Sequence, residues 1–272
     1  MFGRDPAYSP EAKGNVAIML IDTHAHLDFE DFDKDRDEVI KRSFDQGLAA
    51  IINVGSSVEG TERSVQLAGQ NEFIYASIGI HPHDADKTDD KDLNLVRSFV
   101  GHKKVVAVGE IGLDYYRNIS SKEKQRDLFI ALLMEAKKKN LPVIIHNRDA
   151  NDDTMSILND IMDKPVKAVM HCFSGNREFL DSCLGLGLFV SFTGSITFKN
   201  ASLLRDVVKA VPIERLMVET DCPFLSPQIF RGRRNEPLYV KYVAEEIARI
   251  KGLSIEEVED VTTNTARSFF NL

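Results

Sequence analysis

Short apolar runs rich in valine, isoleucine and leucine alternate along the chain with longer stretches in which apolar residues recur every three or four positions. The first pattern reads as buried strands and the second as amphipathic helices. Strands are predicted at 16–22, 48–54, 73–79, 104–109, 142–146, 166–171, 187–192 and 215–219. Helices are predicted near 33–46, 59–70, 89–100, 121–139, 151–162, 176–185, 200–210 and 236–251, with a short helical tail after Ser254. In the fourth helix Ser120 and Glu123 fit a capping box, Leu128, Phe129, Leu132, Leu133 and Ala136 share one face, and Asn140 and Pro142 end it. The eighth has Asn235 as a cap, an apolar stripe of Tyr239, Val243, Ile247 and Ile250, and Gly252 beyond its end.

Strands that alternate with helices build a parallel sheet covered by helices, and eight such units is the number that closes a barrel. The expected fold is therefore α/β, a TIM (β/α)8 barrel forming a single domain over 16–272, with a doubly wound open sheet as the alternative. Residues 1–15 carry proline, glycine and charge without apolar periodicity, so they read as a loose N-terminal extension, native or left by expression. The length of 272 residues suits one barrel of about 250. The early apolar run at 16–21 falls far short of the roughly 20 residues that cross a bilayer, which predicts no membrane span and a cytoplasmic protein. Cys172, Cys183 and Cys222 show no CxxC spacing, so neither a disulfide framework nor a thiolate zinc site is expected. The net charge of −8 opposes a polyanionic partner unless local basic groups or bound cations override it.

The metal-capable residues collect where the predicted strands end. The first strand leads into Asp22-Thr-His24-Ala-His26, and alternation along a strand turns both imidazoles to one side. The fourth delivers Glu110 and then Asp114, the fifth ends in His146, the sixth in His171, and the eighth in Glu219, Thr220 and Asp221. Each residue alone has an ordinary reading: the HxH pair as a polar turn or satisfied core histidines, a lone terminal histidine as structural, Asp221 as a turn cap before Pro223. One shared ion cluster accounts for all of them together. His24, His26, Glu110, His146, His171 and Asp221 supply four imidazoles and two carboxylates, too many for one tetrahedral zinc and suited to two divalent metal ions. We assign His24, His26 and Asp221 to one ion, His146 and His171 to the other, and Glu110 to both. Zinc, manganese or iron suits imidazole with carboxylate, whereas magnesium prefers oxygen ligands.

The segments DTHAHLD at 22–28, GIHPHD at 79–84, GEIGLDYY at 109–116, IIHNRDA at 144–150, MHCFSG at 170–175, ETDCPFL at 219–225 and FRGRRNEP at 230–237 follow one another in order. With them the chain, over roughly 19–271, resembles the TatD family of metal-dependent deoxyribonucleases among the amidohydrolase-like TIM barrels. The resemblance implies a two-metal hydrolase acting on nucleic acid, typically a 3′–5′ exonuclease on DNA, with its ligands at the six residues just named. Two ions about 3.5–4 Å apart would hold a bridging hydroxide and clamp both oxygens of a phosphodiester displacement. Asp221 is the candidate to orient or deprotonate the water.

Several neighbours are candidate substrate contacts. His81, nearer the strand end than His83, is placed toward a phosphate oxygen. Arg148 either meets phosphate or pairs with Asp149, Asp152 or Asp153. Arg231, Arg233 and Arg234 form the sharpest basic cluster, read as backbone contacts in preference to a solvated loop. Phe224 and Phe230 either plug their loop or stack on bases. Glu219 shares the face of Asp221 and is expected either to support a ligand from behind or to pair structurally with a barrel lysine. Cys172 and Cys222 are expected to pack behind the site, and His102 to be exposed and incidental. The expected partner is DNA, single-stranded or with frayed 3′ ends, with no membrane and no obligatory protein partner. Two rivals remain. A small-molecule amidohydrolase would use a bridging lysine where Glu110 stands, yet Lys103 and Lys104 lie at the opposite end of that strand. A noncatalytic nucleic-acid-binding barrel would not need the full ligand set.

Overall fold

Every predicted strand recurs in the computed structural model, which describes residues 20–272; the extension at 1–15 and positions 16–19 lie outside the described residues. The strands are β1 (Ile21–Ala25), β2 (Ala50–Val54), β3 (Ile74–Ile78), β4 (Val105–Asp114), β5 (Val143–Arg148), β6 (Ala168–Met170), β7 (Phe189–Phe192) and β8 (Leu216–Val218). They lie side by side in chain order, all parallel. Between them run α1 (Arg36–Asp45), α2 (Val58–Gln70), α3 (Asp90–Ser98), α4 (Lys122–Lys139), α5 (Asn151–Ile161), α6 (Arg177–Gly185) and α7 (Ser202–Ala210), and α8 (Val240–Lys251) and α9 (Ile255–Phe270) follow β8. The architecture is a TIM barrel forming a single domain.

β1 and β8 meet to close the ring. Ala25 bridges Cys222, His26 N donates to Cys222 O at 2.9 Å and Asp221 N to His24 O at 2.9 Å. Thr23 Oγ1 donates to Val218 O at 3.0 Å. The buried Asp22 carboxylate accepts from Thr220 N at 2.9 Å and Thr220 Oγ1 at 2.6 Å.

Two apolar layers hold the barrel. The outer one packs the strands against the helices, with Phe129, Leu132 and Leu133 of α4 among its fully buried members. The inner one joins Ile21, Ile52, Val54, Val106, Ile144, Val169 and Met217 to Ala266, Phe269 and Phe270 of α9. The tail after Ser254 is thus a full helix that plugs one end of the barrel, its start capped by Ser254 Oγ accepting from Glu257 N at 3.1 Å.

Three local readings change. β4 continues beyond 109 to Asp114 because glycine lets it lie close against β5: Gly112 has φ +144°, and a Cβ there would fall 2.0 Å from His146 O. That approach draws the residues around Glu110 toward His146. Ser120 does not cap α4, whose cap position is Ser121, and that residue makes no side-chain capping bond. The Ser120 hydroxyl instead donates to His83 O at 2.7 Å and accepts from Asp86 N at 3.1 Å, so it ties two loops together. Asn235 likewise serves the loop after β8 rather than α8, donating to Thr220 O at 2.9 Å and Phe224 O at 2.6 Å.

Candidate metal centre

At the C-terminal ends of the strands the structure brings together His24, His26, Glu110, His146, His171 and Asp221, and adds His81 from the loop after β3. The Glu110 carboxylate lies among them. Its Oε1 is 2.8 Å from His146 Nδ1, 2.8 Å from His171 Nε2 and 3.6 Å from His81 Nε2. Its Oε2 is 3.6 Å from His24 Nε2 and 3.8 Å from His26 Nε2. Two oxygens of one carboxylate therefore face two different groups of ring nitrogens. Asp221 Oδ1 stands 3.7 Å and 3.5 Å from the Nε2 atoms of His24 and His26.

The outer nitrogen of each ring decides what its inner nitrogen offers. His26 Nδ1 is 2.8 Å from Val54 O and carries a proton; burial pulls this ring down, but the hydrogen bond and charge of Asp221 push it up to about 9, so Nε2 offers a lone pair only where a cation takes the place of its proton. His146 Nε2 is 3.2 Å from Asp114 Oδ2, which can accept its proton and free Nδ1 for the cluster. Asp114 also holds His83 Nε2 at 2.9 Å and accepts from Arg117 N at 2.8 Å. His81 is the exception. Its Nδ1 accepts from His83 N at 3.1 Å, which leaves the neutral ring with an Nε2–H donor pointing inward. Burial pushes His81 down to about 3, so that ring stays neutral at physiological pH.

Burial opposes charge on both central carboxylates, yet the imidazoles overcome it. The charge of His171, with hydrogen bonds from His146 and His171, holds Glu110 well below the carboxylate range. Asp221 is lowered against its own burial by a hydrogen bond from His26 and the charges of His24 and His171. Burial pushes the thiols of Cys172 and Cys222 well up, so neither is a nucleophile at neutral pH.

The donor set fits divalent cations. His24 Nε2 and His26 Nε2 stand 3.1 Å apart, and His171 Nε2 lies 3.4 Å from His146 Nδ1. The buried Nδ1 atoms of His24 and His171 have no hydrogen-bond partner among the described residues. Imidazoles crowded around ionised carboxylates, which raise His26, His146 and His171 against their burial, are surroundings in which a cation can take the place of those protons. Three groups have donor atoms within 4.8 Å of one another: His24, His26 and Asp221; His24, His171 and Glu219; and His81, Glu110 and His146.

Glu219 sits directly behind this shell, 1% exposed, accepting from Cys172 N at 2.6 Å and from Ser191 Oγ at 2.6 Å. Its Oε1 is 3.6 Å from His171 Nδ1, close enough to orient that ring electrostatically. Asp114 and His83 were not assigned roles from sequence. A signal existed for Asp114, a carboxylate buried to 1% at a strand end, which needs partners to be tolerated.

The outer candidates separate. Arg148 makes no carboxylate pair among the described residues and lies 4.0 Å over the Tyr116 ring, while Asp153 is taken by Arg126 at 2.7 Å and Tyr115 Oη at 2.6 Å. Arg231 lies over Phe198 at 4.1 Å, and the Arg233 side chain has no hydrogen-bond or ion-pair partner among the described residues. Arg234 differs: it grips both oxygens of Asp35 at 2.7 Å and donates to Asp31 O at 2.6 Å, which makes it a bracket between the loop after β8 and the start of α1. Phe230 is packed in a stack with Tyr239 at 4.3 Å. Phe224 is 51% exposed and meets Phe29 edge-on, and Phe29 stacks on His26. His102 is half-buried, not exposed, and accepts from Lys104 N at 3.3 Å.

The model of the TatD related DNase family matches residues 21–271. The uncharacterized metal-dependent hydrolase YabD of Bacillus subtilis is 45% identical over 254 residues, covering 93% of this chain and 100% of its own. The 3′-5′ ssDNA/RNA exonuclease TatD of Enterobacter lignolyticus is 34% identical over 258 residues, covering 93% and 99%. The crystal structure of the TatD homolog YJJV from Escherichia coli K12 superposes with a TM-score of 0.88 at 31% identity, covering 94% of this chain and 99% of that one. The barrel, its cluster of donors and these likenesses agree, and the chain belongs to the TatD-related family of metal-dependent hydrolases.

Proposed function

We propose that this protein hydrolyses phosphodiester bonds of DNA from the 3′ end, using two divalent metal cations. The observation that carries the reading is Glu110, whose two oxygens face two separate groups of imidazoles. In it His24, His26 and Asp221 hold one cation, His146 and His171 the other, and Glu110 both. Bound there, such cations neutralise phosphoryl charge and acidify water.

The protein's own groups supply the rest. Asp221 is the most accessible carboxylate of the cluster, its side chain 14% exposed against 5% for Glu110 and 1% for Glu219. With Oδ1 turned to His26, its Oδ2 accepts the proton of the attacking water. His81 donates from Nε2 to a phosphoryl oxygen. Asp114 fixes the ring of His146, and Glu219 that of His171. Free cysteines and the absence, among the described residues, of any helix long and apolar enough to cross a membrane fit work in the cytoplasm.

The test is a time course on 3′-labelled and 5′-labelled strands, single and duplex, with RNA alongside, after chelation and re-addition of zinc, manganese, magnesium or iron. The expected result is early release of the 3′ label and dependence on added metal. Cleavage that begins at the 5′ label, or that survives complete chelation, would overturn the reading.

The arginines should divide in the same preparation. Changing Arg231 and Arg233 to serine is expected to weaken DNA binding and lower the slope of log K against log salt by up to roughly 0.7 per lost contact on single strands. Arg234→Ala should instead cost about 1 kcal/mol of stability, as a bidentate pair near the surface does. Salt titrations and thermal unfolding distinguish the two; equal salt slopes for wild type and the double variant would return Arg231 and Arg233 to ordinary surface charge.

A further inference from the structure

A cavity of about 430 Å³ opens beside the cluster, and His171 belongs to both. It lies between the loops after β5 and β6, with Tyr116 from the start of the loop after β4 at its edge. The mechanism above makes no use of it. We infer that this cavity seats the terminal nucleotide of the strand being cut, with its base against the Tyr116–Arg148 pair; the inference rests on the nuclease reading and names the residues that would select its substrate.

Four observations support it. The first is size: the volume falls in the range of about 300–1,000 Å³ typical of small-molecule sites, room for one nucleotide and not for a run of them. Second, the edge is a flat, cationic shelf. Arg148 lies 4.0 Å over the ring of Tyr116, makes no ion pair with a carboxylate among the described residues although Asp149 also lines the cavity, and leaves Tyr116 60% exposed. An exposed aromatic ring under an unpaired guanidinium is a surface on which a base stacks while the charge meets its phosphate.

Third, the opposite wall is already built. Phe173 and Phe179 stack at 5.6 Å, and Asn176 accepts from Phe179 N at 2.9 Å to fix the start of α6. Asn147 accepts from Thr154 Oγ1 at 2.8 Å, and the exposed Ser174 hydroxyl has no partner among the described residues. Little ordering remains to be done when a ligand enters.

Fourth, the barrel sets this cavity apart from the other nucleic-acid candidates on the same rim. Strand order runs from β1 to β8 with those two adjoining, so the β5 and β6 loops stand three and two strands away from the β8 loop around the ring. Phe224, Arg231 and Arg233 follow β8, and Phe224 reaches His26 through Phe29. A strand lying along that rim would cross the cluster and end in the cavity, which gives the enzyme a reason to work from an end.

The experiment compares a single strand ending in an ordinary 3′ nucleotide with the same strand ending in a 3′ tetrahydrofuran residue that lacks only the base. Wild type should prefer the ordinary end by about tenfold in kcat/KM, the scale of one base stacked on an aromatic side chain. Tyr116→Ala and Arg148→Ala should bring that ratio close to one, and Tyr116→Phe should keep it. Both alanine changes are at exposed positions, and circular dichroism checks that they fold. A wild-type ratio near one, or a tenfold ratio surviving in both alanine variants, overturns the inference. Bis(p-nitrophenyl) phosphate, assayed alongside, separates the two levels: if wild type turns over this ester and neither strand, the nuclease reading itself falls and takes the inference with it.

Discussion

Glu110→Ala is expected to abolish hydrolysis and strip the protein of bound metal while leaving the barrel folded. Each oxygen of this carboxylate faces imidazoles from different strands, so its loss removes the one group positioned to serve both halves of the cluster. A cation's share of transition-state stabilisation is several kcal/mol, and at about 1.4 kcal/mol per factor of ten the fall in kcat should be roughly a thousandfold or more. The fold should survive because the apolar layers that hold the barrel do not include this side chain. Metal content after dialysis, circular dichroism and turnover should be measured on one preparation. Two retained metals with near-normal turnover would remove Glu110 from its assigned role.

Asp221→Asn should be nearly as severe, with a different signature. The amide keeps the shape and one oxygen, and the backbone bonds of residue 221 to His24 and Phe224 do not involve the side chain, so the loop after β8 should hold its course. What disappears is the negative charge beside His24 and His26 and the ability to accept a proton. Loss of general-base assistance alone is worth about 10²–10⁴ in rate, so the deficit should fall mainly in kcat. Bound metal should fall less than in Glu110→Ala. Turnover at the wild-type rate would require both roles given to Asp221 to be abandoned.

The sequence makes the barrel and the donor cluster legible for a physical reason. Strands buried on both sides read as unbroken apolar runs, and a histidine or carboxylate at the end of such a run stands out against them, as His146 and His171 do after Val143–Ile145 and Ala168–Met170. What could not be read depended on distant partners. Ser120 and Glu123 match a capping pattern, but a hydroxyl bonds whatever the fold brings nearest, here His83 O. The extension of β4 through Asp114 follows from a backbone contact between Gly112 and His146, and local patterning carries no trace of it. Arg234 looked like its neighbours until Asp35, some two hundred positions earlier, proved to hold it. The Tyr116–Arg148 shelf is likewise a contact between two strands' loops.

The seam between β1 and β8 bears on how the protein is made. β1 pairs with β2, close by in the chain, but among the described residues its other edge is covered by residues 218–222, nearly two hundred positions later. A strand edge left open through most of translation is a site for wrong pairing, and contacts of such long sequence separation form late. The same late segment carries Asp221. A chain halted before it would have neither a sealed barrel nor Asp221 among its donors, so the candidate metal centre is complete only once this segment has joined β1.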